Sequence, residues 1–103
     1  MKIVKLSPRA DREVKNHSQY YESRRHGYGT VFRQALRKCL RLIAQHPNLG
    51  TKVDEVFRRR RVLSFPFLIY YCEYDSYVWI STIFHSSRDQ ESWGNVLDEL
   101  PIA

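Results

Sequence analysis

The sequence predicts an α+β domain: an antiparallel helix hairpin packed on a small, mostly antiparallel, twisted sheet, in the order β-α-α-β-β-β with a final helix. Three observations carry this. Residues 65–72 and 78–84 are nearly all aromatic or β-branched, and the short polar Glu73-Tyr74-Asp75-Ser76 between them suits a hairpin turn. Upstream, two stretches repeat their apolar residues at offsets of four, seven and eleven, the helical period. Only Gly27-Tyr28-Gly29 separates those stretches, so the two helices must fold back on each other.

Taken in order, residues 2–6 alternate polar and apolar closely enough for one short strand. Ser7-Pro8 then starts a helix, because serine caps the first turn and proline suits its first position. The stripe of this helix is Ala10, Val14, His17 and Tyr21, with His17 read as a packing residue. A second helix runs from about Thr30 to His46 with Phe32, Leu36, Cys39 and Ile43 as its stripe, and Arg33, Arg37, Lys38 and Arg41 line the other side. Pro47 stops it, since the residue before a proline resists helical geometry. Asn48-Leu49-Gly50 reads as a turn into a third candidate strand over 57–63, bounded by Pro66. A last helix is expected over 89–100, with Trp93, Val96, Leu97 and Leu100 on one side.

The 103 residues suit a single domain, 1–103, with a core of modest size, and 43% hydrophobic content argues against disorder. No apolar run is long enough to span a bilayer, and Met1 leads straight into a strand pattern instead of a signal peptide. A cytoplasmic protein is therefore expected. Cys39 and Cys72 lie in apolar surroundings without CxxC spacing, which predicts reduced core thiols and neither a metal site nor a disulfide scaffold, and no cofactor is expected. Charge is uneven. Residues 1–72 hold sixteen of the seventeen basic side chains but five of the eleven acids, while 73–103 hold one base and six acids. A body this basic attracts a polyanionic or acidic partner.

The basic charge peaks at Arg58, Arg59, Arg60 and Arg61. On a strand, alternate members face opposite sides of the sheet. Guanidinium groups match phosphate or carboxylate with a planar fork, so this run is a candidate anion-binding or partner-binding surface, and otherwise a solvated edge strand guarded against aggregation. Arg88 and Trp93 extend the candidate target-binding set, because arginine and aromatic anchors dominate interface energetics. Metal-free RNA cleavage would need an acid, a base and cations for the phosphorane. His85 would supply one, Tyr70 or Tyr71 could relay a proton, and the arginines, Arg61 among them, could hold the phosphate.

SPRAD at 7–11, QHPNLG at 45–50, FPFLIYY at 65–71 and HSSRDQESW at 85–93 together resemble the RelE/ParE superfamily of toxins from type II toxin–antitoxin modules. The resemblance covers residues 3–93 and is strongest to the ParE branch, the plasmid stabilisation proteins, in the phenylalanine-proline-aromatic strand opening and the later His-x-x-Arg with a nearby Trp. It implies a bacterial cytosolic toxin that inhibits DNA gyrase by binding, in a hetero-oligomer with its cognate antitoxin. The antitoxin's extended, acidic C-terminal region would wrap the hairpin and sheet, touching Val14, Tyr21, Phe32 and Leu36. RelE-like members instead cleave messenger RNA in the ribosomal A site, the alternative activity that the resemblance implies. A third reading is an inactive toxin fold that only binds antitoxin.

Overall fold

The computed structural model describes residues 1–86. β1 (Ile3–Leu6) leads into α1 (Pro8–Arg24), which turns back into α2 (Tyr28–Gln45). A single 3-10 turn (Pro47–Leu49) delivers the chain to β2 (Thr51–Lys52), β3 (Arg58–Arg61), β4 (Phe67–Glu73) and β5 (Tyr77–His85). The strands form one sheet in the order β1-β5-β4-β3-β2, antiparallel throughout except for the parallel pair β1 and β5. The expected α+β class with its helix hairpin is what the chain adopts. β2 is the strand that sequence reading did not assign. Thr51 and Lys52 are polar and exposed, so they carry no alternation, and they pair with Arg59 and Arg58. The helix expected over 89–100 lies outside the described residues.

Ser7 begins α1 in the way its residue type demands, and it also fastens the helix to the sheet. Its hydroxyl accepts the Ala10 N–H at 2.9 Å and donates to the Ser81 carbonyl at 2.7 Å, while its own N–H donates to the Ile80 carbonyl at 2.9 Å. At the other end, Gly27 takes φ of 84°, a left-handed conformation that glycine adopts without steric cost. Gly27 has no side chain to cap α2, and Glu22 of α1 supplies the missing acceptor. Its carboxylate receives the N–H groups of Gly27 at 2.9 Å and Gly29 at 3.1 Å. That is why α2 starts at Tyr28, two residues earlier than the apolar pattern suggests. Gly29 also lets the helices touch, since a Cβ there would sit 2.7 Å from the Ser18 carbonyl.

Between helices and sheet lies the main core, with Phe32 and Ile43 of α2 meeting Ile69, Tyr71, Ile80 and Ile83, all fully buried. A second cluster, Phe57, Tyr70, Cys72 and Phe84, occupies the opposite face of the sheet. Apolar residues on both faces explain why β4 reads as an unbroken hydrophobic run instead of alternating. A bulge in β5 makes this possible. Tyr70 faces Thr82 but Tyr71 faces Ile80, so one extra residue, Ser81, shifts the parity and lets both Ile80 and Ile83 point at the helices. Glu13 of α1 serves the same region, its carboxylate accepting from the Thr82 hydroxyl at 2.7 Å and the Ile83 N–H at 3.0 Å. The two cysteines are buried and unpaired, Cys39 in the main core and Cys72 in the outer cluster.

Candidate target-binding surface

β3 consists of four arginines, and the ladder decides where each one points. Arg58 stands opposite Tyr71, Arg59 opposite Tyr70, Arg60 opposite Ile69 and Arg61 opposite Leu68. Directly opposed residues share a face. Tyr71 and Ile69 belong to the core under the helices, whereas Tyr70 and Leu68 belong with the outer cluster. Arg58 and Arg60 therefore project on the helix side, and Arg59 and Arg61 on the outer side. The four do not make one patch.

They differ in occupation as well. The Arg58 guanidinium donates to the Gly50 carbonyl at 2.8 Å, so this residue helps to hold the turn that enters the sheet. Arg60 lies close enough to Cys39 and Tyr71 to favour their ionised forms, yet burial wins and pushes both groups up. Arg61 is exposed and Arg59 half-buried. Among the described residues no ion pair holds any of the four, and Arg59 and Arg61 stand about 7 Å apart along the strand at the usual rise.

The three residues proposed for RNA cleavage are not brought together. Tyr71 is fully buried, its hydroxyl donating to the Pro47 carbonyl at 2.7 Å and accepting the Gly50 N–H at 3.1 Å. Desolvation raises its pKa, so it holds its proton more firmly than a free tyrosine. His85 pairs with Phe67 at the far end of β4, with the rings 5.2 Å apart, four residues or about 13 Å along the strand from Tyr71. Arg61 aligns with Leu68 and Phe84 on the outer face, while His85 and Phe67 face the helices. Tyr71 and His85 thus share no site with Arg61, and Tyr70, the other tyrosine considered, lies on the outer face with Arg61 but is itself buried.

The hairpin residues expected to meet an antitoxin lie in or against the core. Phe32 and Leu36 are 0% and 3% exposed and Val14 is 9% exposed, all packed in the main core. Tyr21 is half-buried, its ring 5.1 Å from that of Phe65 and 5.4 Å from that of Phe32. A stripe at helical period marks the side of a helix that its own sheet covers, so what a partner can reach lies off the stripe. Val31, Leu42 and Leu63 are such residues, at 45%, 38% and 75% exposure. They line a groove of about 410 Å³ between α2 and β3, beside Lys38, Arg60 and Arg61. The signal for two of them was present in the sequence: Val31 and Leu42 each precede a stripe residue by one position. His17 packs as expected, its ring 4.3 Å from Phe67 and its Nε2 3.2 Å from the Ile83 carbonyl. Arg88 and Trp93 lie outside the described residues. No helix among the described residues is long and apolar enough to cross a membrane.

Comparison with known proteins places this geometry. A family model described as the ParE toxin of the type II toxin-antitoxin system, parDE, matches residues 4–90. Among solved structures, a chain of the chromosomal ParDE TA system from P. aeruginosa superposes with a TM-score of 0.70 at 16% sequence identity, covering 82% of this chain and 96% of that one. At that identity the likeness speaks for the fold. Among curated proteins none matches this sequence.

Proposed function

Because this chain belongs to the ParE toxin family, and so is the toxin component of a type II toxin–antitoxin module, we propose that it arrests growth by binding DNA gyrase and that a cognate antitoxin relieves the arrest. Arg59 and Arg61 are the anchors on the outer face of the sheet, and the sequence adds Arg88 and Trp93 as further candidates. One observation favours binding over RNA cutting. His85, Arg61 and Tyr71 fall on different faces and ends of the sheet, while two outward arginines remain without an ion pair among the described residues. A protein that inhibits by attachment needs no proton shuttle. It needs a rigid base under a few arginines and aromatics.

The test is a double variant, Arg59→Ala/Arg61→Ala, measured for growth arrest and for inhibition of gyrase supercoiling. Arrest should disappear and inhibition should weaken about tenfold or more, with the circular dichroism spectrum unchanged. A folded double variant that arrests growth as the parent does would remove the outer arginines from the site. Ribosome-dependent message cleavage, assayed in parallel on the parent and on His85→Ala, decides the other branch. Cleavage that depends on His85, with gyrase unaffected, would establish the enzyme reading instead.

A further inference from the structure

α2 carries charge that its own fold does not use. Arg33, Arg37 and Arg41 follow one another at intervals of four on its exposed side. Each step rises about 6 Å, so the three make a row about 12 Å long. Like charges at that spacing repel and cost a helix stability, where an acid at every second step would add to it. α2 contains no Asp or Glu, and no ion pair among the described residues relieves the row.

The rest of the helical layer does not neutralise it. Residues 8–45 hold nine Lys and Arg against three acids, and each acid is committed elsewhere. Asp11 pairs with Lys15 at 3.0 Å. Glu13 turns to the sheet, where it accepts from the Thr82 hydroxyl and the Ile83 N–H. Glu22, which lines an open pocket with Arg33, closes the hairpin through Gly27 and Gly29 and meets His26 at 3.3 Å. The helical side of the molecule therefore carries a positive field of its own, across the sheet from Arg59 and Arg61.

The chemistry of this face selects its occupant. From 33 to 41 the exposed residues are Arg33, Gln34, Arg37, Lys38 and Arg41, every one a hydrogen-bond donor and none apolar. A protein partner would want an aromatic or aliphatic anchor at the centre, and this stretch has none. Single-stranded nucleic acid would want rings on which to stack its bases, and these are absent here as well. A second copy of the chain would set the row against its equal. A duplex backbone needs only cations and donors in line. Its phosphates follow at about 3.4 Å of axis per strand, so a row of about 12 Å runs beside three or four of them. We propose that the exposed face of α2 binds the phosphate backbone of a nucleic-acid duplex, whatever its sequence, through Arg33, Arg37, Lys38 and Arg41. The proposal stands apart from the toxin reading, since it uses neither the outer face of the sheet nor an antitoxin.

The full chain, titrated with short fluorescent duplexes of two unrelated sequences, provides the test, with DNA and RNA in separate arms to identify the source of the backbone. The two sequences should bind alike, and the logarithm of the binding constant should fall against that of salt with a slope of about −3 to −4. Arg33→Gln/Arg37→Gln should weaken binding about tenfold or more and make the slope shallower by about two. Glutamine suits a helix interior nearly as well as arginine, so the variant keeps its fold, and Arg33→Lys/Arg37→Lys should retain most of the binding. Arg59→Gln/Arg61→Gln removes the same charge from the opposite face and should leave the slope as it is. Equal losses from the two glutamine variants would overturn the proposal, because net charge alone would then bind. So would a polythymidylate single strand that binds as tightly as the duplex. Polyglutamate that displaces the duplex at equal charge would overturn it too, by making the face a dock for acidic protein.

Discussion

β3 and β4 lie side by side through four residue pairs, and one strand offers four arginines where the other offers Leu68, Ile69, Tyr70 and Tyr71. β4 is covered from both sides, by the helices and by the outer cluster, so aromatic and β-branched residues are what its position requires. β3 sits one strand nearer the edge, with β2 pairing only two of its residues. Arg58 holds the Gly50 carbonyl, but no hydrogen bond or ion pair among the described residues gives Arg59 or Arg61 such a duty. Two like charges as far apart as the backbones of Arg59 and Arg61, about 7 Å, repel by roughly 0.6 kcal/mol in water-like surroundings, which the fold can tolerate but would not select. A strand filled by what the core needs therefore borders a strand that the core does not explain at Arg59 and Arg61, and that contrast is the reason to test this pair as the proposed target-binding anchors.

Substitutions at one rung of the ladder put the contrast to the test. Ile69→Ala should cost about 2–5 kcal/mol, since the side chain is fully buried between Ile83 and the helices and the cavity has no easy way to collapse. Denaturant unfolding measures it. Tyr71→Phe should cost less, about 1–3 kcal/mol, by leaving the Pro47 carbonyl and the Gly50 N–H without their shared hydroxyl. Toxicity should survive that change, because the hydroxyl works for the fold. Arg59→Ala/Arg61→Ala should cost well under Ile69→Ala, about 1 kcal/mol or less, because Arg61 is exposed and the half-buried Arg59 holds no ion pair among the described residues. If the arginine pair destabilised as much as Ile69→Ala, the two strands would share one role and the division would fail.

Most of the fold could be read from the chain because its signals are local. Ser7-Pro8 begins a helix, the four-seven-eleven offsets give its buried side, and the run at β4 and β5 gives a hairpin. β2 was illegible, because two polar residues become a strand only through the partner that reaches them. The bulge at Ser81 was hidden for a related reason: a parity shift appears only once Tyr70 and Tyr71 are paired. The candidate site was half legible. Four arginines announce a cationic strand, but which pair faces outward depends on whether Tyr70 or Tyr71 looks towards the helices, and both are equally aromatic. The hairpin residues are packed inward because amphipathic periodicity identifies the face that an element gives to its own core. The groove along Val31, Ala35, Lys38 and Leu42 has the same four-seven-eleven period as the buried stripe, shifted by one position, so period alone does not say which of the two the sheet covers.

Glu22 shows that exposure alone does not separate the two kinds of polar residue. Like Arg61 it is exposed, yet its carboxylate closes the hairpin by accepting the Gly27 and Gly29 N–H groups. Those two bonds hold its pKa below the ordinary value of 4.5, with the neighbouring His26 adding to the effect. A carboxyl depressed on folding contributes stability that is complete above its unfolded pKa and is lost as pH falls through the folded one. Glu22→Gln should therefore lower the thermal midpoint slightly at neutral pH, and the gap from the parent should close as pH drops below about 4.5. Arg59→Ala/Arg61→Ala should show no such convergence, because neither arginine titrates in that range. A Glu22→Gln gap that stayed constant down the acid limb would mean that the carboxylate is as idle in the fold as the arginines are.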